Sequence, residues 1–123
     1  AIRLLDHILR TGLDEGMSKF EVEIVVKEVR GGCAAHYKPG DSFVVREFYI
    51  LENQKAKICL HALSSMLTLL MPFLKGVSAK DLGIGSTNDT GYIQCPDLGK
   101  PYTCGGSVLF ELRRAKINDI GNE

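Results

Sequence analysis

The stretch FEVEIVV, residues 20–26, decides how this chain folds, because apolar residues recur at every second position. Successive side chains of an extended chain point to opposite faces, so this spacing predicts a strand with one buried and one solvated face. The predicted buried face carries Phe20, Val22, Ile24 and Val26. Charged residues such as Glu21 and Glu23 fall on the opposite face, and the pair of glycines at 31 and 32 predicts the end of the strand.

A turn and a second β-forming run follow this strand. Lys38-Pro39-Gly40-Asp41 has proline and glycine at the positions that a tight turn uses. Residues 42–51, SFVVREFYIL, are rich in branched and aromatic residues and predict one strand. Further strands are predicted near 91–95 and, from the alternation in SVLFELRR, at 107–114.

The segment 58–74 is rich in leucine and methionine, and it is too long for a strand. Its apolar positions recur at helical spacing, and they predict a long, largely buried helix. Residues 2–11 predict a short amphipathic helix. The predicted class is therefore α+β, a small and mostly antiparallel sheet covered by one long apolar helix, plus a short N-terminal amphipathic helix. The predicted organisation is an N-terminal helical extension at 1–16, a single domain at 17–116 and a flexible tail at 117–123.

Composition excludes several classes of function. The chain has 123 residues, 45% of them hydrophobic, with 15 basic and 15 acidic residues. Scattered basic residues predict no nucleic-acid partner. Polar residues interrupt every turn of the 58–74 segment, and Pro72 lies near its end, so no membrane span is predicted. The opening residues AIRLLDHILR lack the uninterrupted apolar stretch of a signal peptide, which predicts a cytoplasmic protein. Its four cysteines are then expected to be reduced thiols, metal ligands or buried apolar groups rather than a disulfide framework.

The four cysteines carry most of the chemistry that the sequence suggests. Cys33 and His36 have the two-residue gap of a metal knuckle, although a structural zinc site needs a second pair. Cys59 and His61 point apart if both lie in the helix, and they converge only if the helix begins later. Cys95 precedes Pro96-Asp97, a pattern typical of a structural turn.

In this order the motifs resemble a family of small uncharacterised cysteine-containing α+β proteins of archaea and mostly anaerobic bacteria. They are a Cys followed by Lys38-x-Gly40-Asp41-x-Phe43, then Cys59-x-x-Ala62 opening a helix, Cys95-Pro96-Asp97, and Val108-x-Phe110-Glu111-x-x-Arg114. The resemblance covers about residues 20–114 and implies a compact domain, but no activity. It directs attention to Cys33, Lys38, Asp41, Cys59 and Cys95. In the family a histidine directly precedes the lysine, whereas this chain has Tyr37 there and His36 one residue earlier.

Three functions follow as hypotheses. The first is an accessory module that binds a metal or small ligand, with Cys33, Cys59 and Cys95 meeting at one sheet edge to hold zinc or iron, His36 as a further metal ligand, and Lys38, Asp41 and His61 contacting a ligand. The second is a non-catalytic subunit that forms a homo-oligomer or binds a protein partner through the two predicted helices. The third is a small enzyme that uses a cysteine or His61 with Asp41 or Lys38, and it predicts a concave site containing a shifted pKa.

Overall fold

A computed structural model describes residues 19–52 and 54–117 of the chain. Its strands are β1 (Phe20–Gly31), β2 (Ser42–Arg46), β3 (Tyr49–Ile50), β4 (Thr90–Gln94) and β5 (Gly106–Lys116). Its helices are α1 (Leu60–Leu74) and α2 (Ala79–Leu82). The strands form one five-stranded sheet in the order β3-β2-β1-β5-β4, and every neighbouring pair is antiparallel.

The strand predicted from FEVEIVV is confirmed as β1, the centre of the sheet. Val22, Ile24 and Val26 are buried, as their spacing predicts. β1 pairs with β5 along its whole length, from Phe20 opposite Lys116 to Gly31 opposite Gly106, with one register shift between Val26 and Glu28. These two long strands form the middle of the sheet, with β2 beside β1 and β4 beside β5.

The single strand predicted over 42–51 is in fact a hairpin. Val45 pairs with Ile50 and Arg46 with Tyr49, so the chain reverses through Glu47 and Phe48. Glu47 has a φ of 58°, in the left-handed region that such a turn requires. Because neither turn residue is Gly, Asn or Asp, β-propensity alone gave no sign of the reversal.

The predicted fold class, a sheet covered by one long apolar helix, is wrong. The described residues form mostly antiparallel sheet, with helices of 15 and 4 residues. A 15-residue helix is about 22 Å long and about 10 Å wide. The two central strands have 12 and 11 residues, and the longer one is about 40 Å long, so α1 covers only part of the sheet. The predicted N-terminal helix lies outside the described residues.

α1 is a one-sided helix rather than a largely buried one. The side chains that it buries follow one stripe: Ala62, Met66, Leu70, Phe73 and Leu74. They join the core residues of the sheet, among them Ile24 and Phe110. Leu60 and Leu67 are exposed on its other side. Neither helix of the described chain has the length and apolar character needed to cross a bilayer.

Arg114 on β5 ties the C-terminal end of α1 to the sheet. Its guanidinium lies 4.4 Å from the ring centroid of Phe73 and 4.7 Å from that of Phe20. Its N–H groups donate to three main-chain carbonyls and one carboxylate, those of Phe73, Val77, Asn88 and Asp89. The side chain is only 4% exposed. It therefore supplies donors to carbonyls at and beyond the end of α1, where a helix lacks its own.

Glu111 forms the centre of an ion-pair cluster on the solvent side of the sheet. Its carboxylate accepts bonds from Arg113 at 2.6 Å and from Lys27 at 3.0 Å. The hydrogen bond from Arg113, followed by that from Lys27, lowers the pKa of Glu111 below its ordinary value of 4.5.

A carboxylate with a lowered pKa stabilises the folded state above its unfolded pKa, and the contribution is lost as the pH falls through the folded value. We therefore expect Glu111→Gln to reduce the free energy of unfolding in urea at pH 7, with the difference from the wild type shrinking below about pH 4. A difference that stays constant between pH 7 and pH 2.5 would contradict this assignment. Glu28→Gln, at an exposed neighbour, is the matched control.

Candidate functional site

Two strands end on the same side of the sheet and each is followed by a cysteine, and a hydrogen bond to Tyr37 ties a third cysteine to this region. β1 and β4 both lie antiparallel to β5, so their C-terminal ends are on the same side, where β5 begins. Cys33 comes two residues after β1, and Cys95 directly follows β4, where its N–H donates to the carbonyl of Val108 at 2.8 Å. Cys59 immediately precedes α1. We call this region, defined by Cys33, Tyr37, Cys59 and Cys95, the thiol end.

The loop after β1 places Cys33 and His36 in different surroundings. Cys33 is half-buried and packs against the core, whereas His36 is exposed. The N–H of His36 donates to the carbonyl of Cys33 at 3.0 Å, and His36 has a φ of 58°. The two residues therefore share a tight turn, which accounts for their spacing without a metal.

The Lys38-Pro39-Gly40-Asp41 turn has the form expected from its residues. The N–H of Asp41 donates to the carbonyl of Lys38 at 3.0 Å, and Gly40 has a φ of 97°, as the third residue of a type II turn requires. The Asp41 carboxylate accepts the N–H of Lys38 at 2.9 Å. Two further backbone hydrogen bonds attach the turn to β1. The N–H of Gly40 donates to the carbonyl of Val26 at 2.8 Å, and the N–H of Val26 donates to the carbonyl of Asp41 at 2.7 Å.

Cys59 lies just outside the helix, as the last extended residue before it. Its φ of −75° and ψ of 120° differ from helical values, and α1 begins at Leu60. Cys59 is half-buried against the core, while His61 is exposed in the first turn. The charge of His61 contributes to lowering the pKa of Asp97, which places His61 near the loop that follows Cys95.

Tyr37 connects the loop after β1 to the start of α1. Its hydroxyl oxygen accepts the N–H of Cys59 at 2.8 Å, and its ring meets that of Phe110 edge-on, at a centroid distance of 5.7 Å. Burial raises the pKa of Tyr37, the hydrogen bond from the Cys59 N–H offsets part of that effect, and the Cys59 and Cys33 side chains raise the pKa further. The hydroxyl therefore remains protonated at neutral pH.

The loop after β4 is organised by Asp97. Its carboxylate accepts the N–H of Gly99 at 2.9 Å and a short bond from the hydroxyl of Thr103. The Thr103 bond, followed by the Gly99 bond, lowers the pKa of Asp97. Cys104 at the far side of this loop is exposed, and it does not join the three half-buried cysteines.

Burial raises the pKa of the Cys95 thiol, and the neighbouring Cys59, Asp97 and Cys33 groups add to that effect. The backbone N–H of Asp97 offsets part of it. A nucleophilic cysteine needs a lowered pKa, because the thiolate is the reactive form. The shift at Cys95 thus has the opposite direction from the one that a thiol enzyme requires.

The predicted ligand residues are distributed over two places. Lys38 and Asp41 line a shallow surface groove together with Gln54 and Lys55, and His61 does not line this groove. The predicted metal residues Cys33, Cys59 and Cys95 lie at the thiol end, and all four cysteines are unbonded. Across residues 19–52 and 54–117, no three His, Cys, Asp or Glu side chains are arranged to hold a metal ion. The three thiols therefore share a neighbourhood without forming a closed coordination set.

Tyr37 is the residue of this region that reasoning from the sequence missed. It entered the sequence analysis only as a departure from the family pattern, at the position of the expected histidine. Its position between the Cys33-x-x-His36 motif and the turn at 38–41 gave no sign that Tyr37 is 7% exposed or that it accepts a hydrogen bond from Cys59. The available signal was that a tyrosine stands where the predicted resemblance calls for a histidine.

Comparisons of the chain with protein-family models, with curated proteins and with solved structures found no match. The resemblance to small cysteine-containing proteins therefore stays a prediction that rests on the motifs alone. Fold resemblance is in any case a weak guide to function, which depends on the chemistry of a site.

Proposed function

We propose that this domain is an accessory module that binds a soft metal ion, zinc or iron, at the thiol end. The observation that carries the proposal is that half-buried cysteines from three separate segments lie at one end of the sheet, near enough for Cys33 and Cys59 to raise the pKa of Cys95. Thiolates are the ligands that zinc and iron–sulfur centres favour. Four unbonded cysteines also favour the cytoplasm, where thiols stay reduced.

Binding requires the thiols to come closer together, because they do not form a coordination set as they stand. The loop between β1 and β2 and the residues before α1 are the segments that would move, since Cys33 and Cys59 lie outside regular structure. A metal also lowers the pKa of a bound thiol, which would offset the effect of burial at Cys95.

The test is elemental analysis of anaerobically purified, untagged protein, together with a count of free thiols. We expect about one metal per chain, with three shielded thiols and one that titrates freely. Cys33→Ser, Cys59→Ser and Cys95→Ser should each reduce Cd²⁺ affinity by tenfold or more, roughly the effect of losing a site residue. Cys104→Ser is the matched control and should leave binding unchanged. No metal, four freely titrating thiols and no Cd²⁺ thiolate absorption band would disprove the proposal.

A second candidate function is a non-catalytic interaction subunit that forms a homo-oligomer or binds a protein partner. It is favoured by large apolar side chains that are exposed beside the thiol end: Leu60, Leu98 and Tyr102. Light scattering coupled to size exclusion tests it. A stable oligomer that Leu60→Ser converts to monomer, without change in Cd²⁺ binding, would favour this function over the first.

A further inference from the structure

An open groove lies between the end of β1 and the loop that joins β4 to β5. Its volume is about 420 Å³, which is within the range typical of sites for small molecules. Its walls are formed by Arg30, Lys100, Leu98 and four glycines. Among the described residues that line the groove, two carry a positive charge and none carries a negative charge. A cleft lined by one sign of charge concentrates ligands of the opposite sign, so the groove favours an anionic ligand.

The two cationic side chains can reach a ligand. Both residues are exposed. Arg30 forms an ion pair with Glu28 at 3.4 Å, and because their side chains are 77% and 51% exposed, this pair contributes little and a stronger anion can replace it. The ammonium group of Lys100 pairs with no carboxylate of residues 19–52 and 54–117. The nearby Asp97 carboxylate is used inside its own loop, where it accepts bonds from Gly99 and Thr103.

Gly32 differs from the other glycines of the groove, because the fold of the described chain gives no reason for it. Gly31 and Gly99 have φ values of 77° and 76°, and a β-carbon at Gly105 would collide with the Asp97 carboxylate. Gly32 has no positive φ, and a β-carbon there would meet nothing within 4 Å. Its N–H donates to no acceptor in residues 19–52 and 54–117. A bare backbone N–H at the wall of a groove allows an oxyanion to approach closely.

We infer that this groove binds the phosphate group of a small phosphate monoester. The Arg30 guanidinium and the Lys100 ammonium contact the phosphate oxygens, and the Gly32 N–H donates to one of them. Leu98, which is 65% exposed, contacts the organic part of the ligand. A phosphate monoester suits these donors better than a carboxylate, because it has more negative charge and three strong acceptor oxygens. The site uses no metal ion and none of the half-buried cysteines, so it is independent of the proposed function.

Phosphorus NMR titration of phenyl phosphate with the full chain, in the presence of EDTA, tests this inference. We expect saturable binding with a dissociation constant on the order of 1 mM, and weaker binding of inorganic phosphate, which lacks an organic part to contact Leu98. Benzoate, which presents a carboxylate on the same ring, should displace phenyl phosphate only at about tenfold higher concentration. Absence of saturable phenyl phosphate binding, or displacement by benzoate at equal concentration, would overturn the inference.

Two substitutions locate the binding. Arg30→Gln and Lys100→Gln each remove one charge at an exposed position, where substitutions seldom disturb folding. Each should weaken phenyl phosphate binding about tenfold, the effect of losing one hydrogen bond to a charged group. Lys57→Gln, at an exposed lysine that does not line the groove, is the matched control and should leave the affinity unchanged. Wild-type affinity in both Arg30→Gln and Lys100→Gln would overturn the assignment of the groove.

Two further variants test the contacts in opposite directions. Gly32→Ala should weaken phenyl phosphate binding without moving the urea unfolding midpoint, because its methyl group takes the space that the phosphate approaches. Glu28→Gln should strengthen binding, because it releases the Arg30 guanidinium. Unchanged affinity in Gly32→Ala would overturn the backbone contact on which the inference depends. The two proposals fail separately: a chain that binds phenyl phosphate but no Cd²⁺ would overturn the proposed function and support this site.

Discussion

Arg114→Ala is expected to lower the free energy of unfolding by about 3 kcal/mol, because it removes a buried guanidinium together with its packing and its charged hydrogen bonds. The substitution removes the donors to the carbonyls of Phe73, Val77 and Asn88, and it leaves a void between two phenylalanine rings. The Arg114 side chain is 4% exposed, so its loss removes a buried group, whereas the carbonyls of Val77 and Asn88 belong to exposed residues and can bond water in its place. Urea denaturation followed by far-ultraviolet circular dichroism measures the loss.

Two further variants separate the contributions of Arg114. Arg114→Lys keeps the charge but lacks the planar array of donors, so its free energy of unfolding should lie between those of Arg114→Ala and the wild type. Asp89→Asn removes only the partner carboxylate, which is 61% exposed, and should change stability by less than about 1 kcal/mol. Equal losses for Arg114→Ala and Asp89→Asn would show that the ion pair, rather than the carbonyl bonds, is what Arg114 contributes.

The strands could be predicted because their signal is local. Val22, Ile24 and Val26 occupy every second position, and alternate side chains of a strand point to the same face, so all three face the core. The turn at 38–41 could be predicted as well, because its proline and glycine are visible in the sequence. The role of Arg114 could not be predicted in this way. Its hydrogen-bond partners lie 25 to 41 residues away, so nothing beside it in the sequence indicates that its charge is buried.

The prediction that one helix covers the sheet was wrong, because composition indicates how apolar a segment is but not how much of the sheet it can cover. Residues 60–74 are apolar enough for a buried helix, yet only one stripe of them meets the core, and the sheet is larger than the helix. The metal site expected from three cysteines stays a prediction; the structure shows those cysteines half-buried against the core. The links that depend on tertiary contacts, such as Tyr37 to Cys59, could not be seen in the sequence.

Gly106→Ala is expected to have the second large effect, lowering the free energy of unfolding by about 3 kcal/mol, as overpacking at a rigid contact does. A β-carbon at this position would collide with the carbonyl oxygen of Arg30 and lie 2.8 Å from both the carbonyl carbon of Gly31 and the nitrogen of Gly32. All three are backbone atoms, so β1 and β5 must move apart to make room. Because Cys33 follows Gly32 directly, the shift reaches the thiol end, and we expect Cd²⁺ affinity to fall as well.

Gly32→Ala is the matched control, since a β-carbon there meets nothing within 4 Å and the residue has no positive φ. It should change stability by no more than about 1 kcal/mol, and loss of unfolded-state entropy would make it stabilising. Urea denaturation of both variants measures the change in stability. Cd²⁺ titration without urea, at a temperature where each variant is folded, measures the change in affinity. If Gly106→Ala and Gly32→Ala had the same free energy of unfolding, the close approach of β5 to the end of β1 would not require glycine at position 106. If it lost stability but kept full Cd²⁺ affinity, the geometry of the thiol end would not depend on that contact.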